Sequence, residues 1–193
     1  MKTLIVTGGI GSGKSEVGRI LERMGFPVYD ADSRMKSLYD TDPEIVPAIE
    51  KALGRSFRGE DGHLDRKALA AAVFSDREKL RTLELTTHPF LFRDFRRWAA
   101  EQKGGCVVME SAVYCSSPCD DKPRGHILLV DAPVELRLER ARRRDGTDER
   151  DVQARMDAQH PEDIHPDAVI INDGTLADLE NKVRTVMETI FSD

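Results

Sequence analysis

Two rhythms of apolar residues alternate along the chain. Runs in which consecutive residues are apolar, at 4–6, 106–109, 127–130 and 168–171, together with a shorter β-like stretch at 26–29, predict strands covered on both faces. Between them the apolar residues recur at helical spacing. Val17, Ile20, Leu21 and Met24 form one such set, stopped by Gly25, and Leu176, Leu179, Val183, Val186, Met187 and Ile190 form the last. Alternating strands and helices predict an α/β domain around a parallel sheet. Residues 42–103 break that alternation, because they are helical almost throughout, with apolar spacing at Ile45, Ile49 and Leu53, from 69 to 74 and from 80 to 98. A crossover this long exceeds what a parallel connection needs, so it predicts a helical subdomain over the ligand crevice. Pro89 predicts a helix boundary at His88.

The first strand and first helix are joined by TGGIGSGKS at 7–15, which fits GxxxxGK[ST] at Gly8, Gly13, Lys14 and Ser15. Glycines at 9 and 11 let successive N–H groups turn inward on a polyphosphate. Lys14 supplies a point charge for the β- and γ-phosphates, and Ser15 offers its hydroxyl to Mg²⁺. The strand before and the helix after place a positive helix terminus under the phosphates, which a chance glycine turn would lack.

Composition narrows the setting. The 193 residues fit one domain with an insertion or lid, and 39% hydrophobic and 33% charged content suit a soluble globule. No apolar run reaches membrane-spanning length and the first residues do not resemble a signal peptide, so a cytoplasmic protein without a membrane partner is expected. Cys106, Cys115 and Cys119 read as plain thiols rather than disulfides or metal ligands. A net charge of −6 argues against nucleic-acid binding. Positive charge is local: Arg137, Arg140, Arg142, Arg143 and Arg144 crowd one helix, and Arg137, Arg140 and Arg144 share a face. That face is either solvated or a phosphate clamp.

Carboxylates stand where strands end. Asp30 and Asp32 flank Ala31 after the second strand, beside the expected phosphate loop, although Asp32 could instead cap the next helix. Glu110 closes the third strand, either to orient Mg²⁺ through water or as a polar turn. His88 is balanced between a ligand role and a structural one.

These parts in their order resemble the dephospho-CoA kinase family. The likeness is carried by TGGIGSGKS, by Asp30-Ala31-Asp32, by DGHLDRKALAAAVFSD at 61–76 and by LELTTHP at 83–89. It continues through VDAP at 130–133, RARRRDG at 140–146, Arg155 with Gln159, and IINDG ending at Gly174. The resemblance implies a three-layer P-loop NTPase fold with a five-stranded parallel sheet (core 1–40, 104–139 and 166–193), a helical substrate-binding subdomain (41–103) and a helical lid (140–165). It implies transfer of the γ-phosphoryl of ATP, with Mg²⁺, to the 3′-hydroxyl of dephospho-CoA by a monomer or weak homo-oligomer.

On this mapping Asp32 is the catalytic base, acting with Lys14 and Arg140. ATP is held by Gly9, Gly11, Ser12, Gly13, Lys14, Ser15 and Glu16, with Arg140 and Asn172 toward the adenine and Arg144 and Gln159 in the lid. The acceptor is met by Asp32, Arg34, Lys36, His88 and Glu110, and Ser15 is the metal ligand. The chain departs from the family pattern at Glu16, where a second hydroxyl residue is usual. It departs again at 111–116, at Lys36 in place of an arginine, and at Arg93, displaced from its usual place after the His-Pro pair. Since lysine cannot reproduce a bidentate arginine contact, Arg34 is expected to share the substrate phosphates. Two other functions remain open on sequence: a related kinase for a nucleoside monophosphate or sugar acid, or an ATP-binding module without acceptor chemistry.

Overall fold

The computed structural model describes residues 1–73, 76–146, 150, 152–153, 156 and 164–191. They divide into two compact units, one formed by 1–30, 102–116 and 124–193 and the other by 31–101 and 117–123.

The first unit is built on five parallel strands, β1 (Lys2–Thr7), β2 (Val28–Asp30), β3 (Cys106–Glu110), β4 (His126–Asp131) and β5 (Ala168–Ile171), in the order β2-β3-β1-β4-β5. Register places Asp30 beside Glu110 and Glu110 beside Val6, so both acids stand at the carboxyl ends of their strands, level with the end of β1. Leu4, Val6, Val108, Leu128, Val130 and Ile170 form one buried core with two helices, α1 (Lys14–Arg23) and the last helix of the chain, here α7 (Leu176–Phe191). Each large aliphatic side chain fully buried there contributes roughly 1.5–3 kcal/mol.

Helix α1 has its ends set by its own sequence. Glu16 lies in the first turn and Arg23 in the last, matching the helix dipole. At the far end Gly25, with φ of 90°, donates its N–H to the Glu22 carbonyl while the Phe26 N–H reaches Leu21, a Schellman closure that turns the chain toward β2. Between β4 and β5 lies α6 (Val134–Asp145), which carries the arginine cluster. Ala141 of α6 packs with Val152 and Met156 against Ile10 and Leu138. Most of the expected lid beyond Gly146, including Arg155 and Gln159, lies outside the described residues.

The second unit contains α2 (Ala31–Thr41), α3 (Ile45–Leu53), α4 (Arg66–Val73) and α5 (Arg77–Glu101). The other three helices pack on α5, whose Leu91, Phe92 and Phe95 are buried. Helix α2 and residues 117–123 belong to this unit, whereas the sequence assigns both to the core; packing of α2 on α3 and α5 accounts for the first.

The expected boundary at His88 is absent, because α5 continues through Pro89. Proline removes one main-chain donor there. In the turn before it the hydroxyls of Thr86 and Thr87 donate to the carbonyls of Thr82 and Leu83, bonds that favour a bend and not a break. Burial of Thr87, His88, Leu91 and Phe92 on either side outweighs the local preference. Among the described residues no helix is long and apolar enough to cross a membrane.

Candidate functional site

The phosphate-binding loop leaves β1 at Thr7 and enters α1 at Lys14. Gly11 and Gly13 have φ of 75° and 97°, a left-handed backbone that favours glycine. Space enforces the same choice: a Cβ on Gly11 would lie 2.2 Å from the Arg137 carbonyl oxygen, and one on Gly13 would lie 2.1 Å from the Asn172 side-chain nitrogen. Lys14 is buried at the head of α1. Ser12 is fully buried, and its hydroxyl has no hydrogen-bond partner among the described residues.

On the β3 side of the loop, the Ser15 hydroxyl donates to Glu110 Oε1 at 2.8 Å. The buried Glu110 side chain thus turns toward the loop serine and not toward solvent. The pair borders a cleft of about 130 Å³, with Asp30, Val28, Gly18, Arg19 and Glu22 as its other walls. The Glu16 carboxylate is held by Arg19.

On the β4 side, the buried Asn172 donates from Nδ2 to the Ser12 carbonyl at 2.9 Å and from its main chain to the Asp131 carbonyl at 2.7 Å. Arg140 Nη1 donates to the Asn172 carbonyl at 3.1 Å. Arg137 Nε donates to the Ile10 carbonyl at 3.0 Å, and its Nη1 lies 3.6 Å from Asp131 Oδ1. The arginines expected on one face are thus divided. Arg137 and Arg140 reach back to the main chain at the loop and β5, while Arg144 is exposed in the last turn of α6. Arg137 was legible only as a cluster member, because its acceptor is a backbone carbonyl that carries no sequence signal.

Of the residues expected to meet the acceptor, the helical unit holds Asp32, Arg34, Lys36 and His88, whereas Glu110 belongs to the sheet unit. Because α2 begins at Ala31, Asp32 lies in its first turn and is exposed, not at the capping position proposed as its alternative role. The Arg34 guanidinium is gripped by the buried Asp94, which also accepts from Arg97. Lys36 is exposed, and its carbonyl accepts from Arg66. The displaced Arg93 pairs with Asp42 and Glu44.

His88 is 6% exposed, with Nδ1 2.7 Å from the Ser117 hydroxyl. Burial, with the nearby Lys122 charge adding to it, lowers its pKa to about 4, so it is neutral at physiological pH. The three cysteines are free thiols, and no cluster of three or more acidic, histidine or cysteine side chains suited to a metal occurs among the described residues.

A parallel sheet with this strand order, a glycine loop running into α1, and a loop serine bonded to a strand-end acid define a P-loop phosphotransferase of the small-molecule kinase kind. The family model for CoaE, dephospho-CoA kinase, matches residues 3–178. The chain is 41% identical to the dephospho-CoA kinase of Porphyromonas gingivalis over 166 residues, covering 84% of this chain and 79% of that protein. It is 36% identical to that of Corynebacterium glutamicum over 193 residues, covering 96% and 97%. A solved structure from Thermus thermophilus superposes with a TM-score of 0.81 at 32% identity, covering 98% of this chain and 97% of that one. The chain therefore belongs to the dephospho-CoA kinase family, and its activity is the ATP-dependent phosphorylation of dephospho-CoA in coenzyme A synthesis.

Proposed function

We propose that the chain works in the cytoplasm as a Mg²⁺-dependent kinase that transfers the γ-phosphoryl of ATP to the 3′-hydroxyl of the dephospho-CoA ribose. The observation that carries this reading is the Ser15 to Glu110 hydrogen bond beside the glycine loop. A hydroxyl and a carboxylate with Asp30 alongside suit a cation that takes few protein oxygens and keeps water and phosphate ligands. Ser15 would hold Mg²⁺ directly, and Glu110 and Asp30 through water. When bound, the ion would neutralise charge on the β- and γ-phosphates.

The chain's own groups do the rest. The amides of residues 9–15 cradle the phosphates and Lys14 adds its charge, so that negative charge on the transferred group meets donors already in position. Asp32 accepts the proton of the ribose hydroxyl as its oxygen bonds to phosphorus and the bond to ADP breaks. Arg34, held by Asp94, and Lys36 balance the acceptor's phosphates. Arg140 and Arg144 serve the ATP side, and the lid containing Arg144 excludes water that would otherwise take the phosphoryl group. The buried His88 supports the acceptor side by fastening the segment that carries Ser117 to α5, and Asn172 serves the nucleotide from behind the loop.

The deciding experiment measures ATP-dependent phosphorylation of dephospho-CoA, AMP, CMP and shikimate side by side. Turnover of dephospho-CoA far above the others is expected. Preferred use of another acceptor, or ATP binding with no acceptor turned over, overturns the reading.

A further inference from the structure

The glycine loop is held from behind at two of its carbonyls. The carbonyl of Ile10 and the N–H of Gly11 belong to one planar peptide and point opposite ways, as do the Ser12 carbonyl and the Gly13 N–H. Both peptides precede a glycine in the left-handed region, where the flexible φ angle allows such a peptide to rotate and turn its N–H away. Each outward carbonyl is occupied: that of Ile10 by Arg137 Nε at 3.0 Å, and that of Ser12 by Asn172 Nδ2 at 2.9 Å.

The donors are themselves restrained. Asp131, at the end of β4, faces Arg137 with its carboxylate and accepts the Asn172 N–H with its carbonyl, while Arg140 binds the Asn172 carbonyl. The Arg137 side chain is only 14% exposed, and Asn172 is buried. Arg137 also closes on the loop with its main chain, against which a Cβ at Gly11 would collide.

We infer that Arg137 and Asn172 are positioning residues that set the direction of the Gly11 and Gly13 N–H groups, so that the loop is an anion cradle before nucleotide arrives. Arg137 therefore acts through the peptide of residues 10 and 11 and not by touching ATP. The inference rests on the reading of this loop as the ATP phosphate site.

Inorganic tripolyphosphate, which has no nucleoside, separates the possibilities. Calorimetric titration of wild type, Arg137→Met and Arg137→Gln with ATP and with tripolyphosphate is paired with steady-state kinetics. Losing a charge-assisted bond should weaken binding of both ligands in Arg137→Met by about 10- to 100-fold. The KM for dephospho-CoA should stay near the wild-type value. Arg137→Gln, which keeps an N–H donor, should recover most of the loss. Asn172→Leu, similar in size, uncharged and lacking the donor, should reproduce the defect, with folding checked by circular dichroism.

Weakened ATP binding with unchanged tripolyphosphate binding would assign Arg137 to the nucleoside and overturn the inference. Unchanged binding of both by Arg137→Met would do the same, as would equal losses in Met and Gln variants. If the wild-type protein binds neither ligand, the phosphate-site reading itself fails and takes this inference with it.

Discussion

Arg34 and Asp94 meet in a two-pronged pair, with Nε and Nη2 of the arginine donating to Oδ2 at 3.0 and 2.8 Å and Nη2 also reaching Oδ1 at 3.0 Å. The carboxylate is 4% exposed and the arginine 43%, so the acid is the fixed partner and the cation is aimed by it. Asp94→Asn keeps the shape and removes the charge. Because one partner is half in solvent, the stability loss should be about 1–3 kcal/mol in a denaturant melt. If Arg34 serves the acceptor, KM for dephospho-CoA should rise while KM for ATP holds; an unchanged acceptor KM would leave the pair a purely structural one.

Asp32→Asn should fold and bind ATP as the wild type does, with kcat lowered by roughly 10²- to 10⁴-fold, the usual contribution of a positioned proton acceptor. Single-turnover measurements at saturating ATP and dephospho-CoA test this directly. Retained turnover would remove Asp32 from the chemistry.

Ser15→Ala and Glu110→Gln each break the hydrogen bond beside the loop. Both should raise the Mg²⁺ concentration needed for half-maximal rate, by about 10-fold or more. A metal titration at fixed ATP gives the answer, and an unshifted midpoint in both variants would count against a metal site there.

Arg144→Ala should lower kcat at least ~10-fold if this side chain reaches the transferred phosphate. Its neighbour Arg143, which pairs with Glu139 on the exposed side of α6, provides the matched control. Arg143→Ala should leave kcat and both KM values close to wild type, and equal effects from the two substitutions would point to surface charge alone.

His88 gives a pH dependence of stability with a definite sign. Its pKa falls from 6.5 to about 4 on folding, through burial first and the Lys122 charge second. Its contribution is fully present above pH 7 and lost as pH falls from about 6.5 toward about 4, where the unfolded chain takes up a proton that the folded one refuses. The loss should approach ~3 kcal/mol. Tm measured between pH 8 and pH 4 should drop less steeply for His88→Gln than for wild type; parallel curves would contradict the buried neutral ring.

Consecutive apolar runs revealed the strands, and β5 spans the same residues, 168–171, that the pattern marks. The loop was legible because its function requires particular residue types at fixed spacing. Pro89 misled, since its local preference yields to the burial of Leu91 and Phe92 one turn on. The contact between Glu110 and Ser15 became visible only once parallel pairing set the acid level with Val6. The loop contacts of Arg137 and of Asn172, the latter named from the resemblance only for the adenine side, were harder still, because a side chain that binds a peptide carbonyl has no partner residue type to recognise.

Strand β1 occupies the middle of the sheet, with two strands on either hand. The glycine loop thus has chemically different flanks: acids on the β3 side and an arginine-amide brace on the β4 side. On the reading proposed above, ion preference and grip on the triphosphate can drift independently, since substitutions beside Glu110 need not disturb Asn172. An engineer seeking a manganese-adapted or tighter-binding variant has two separate handles on one loop.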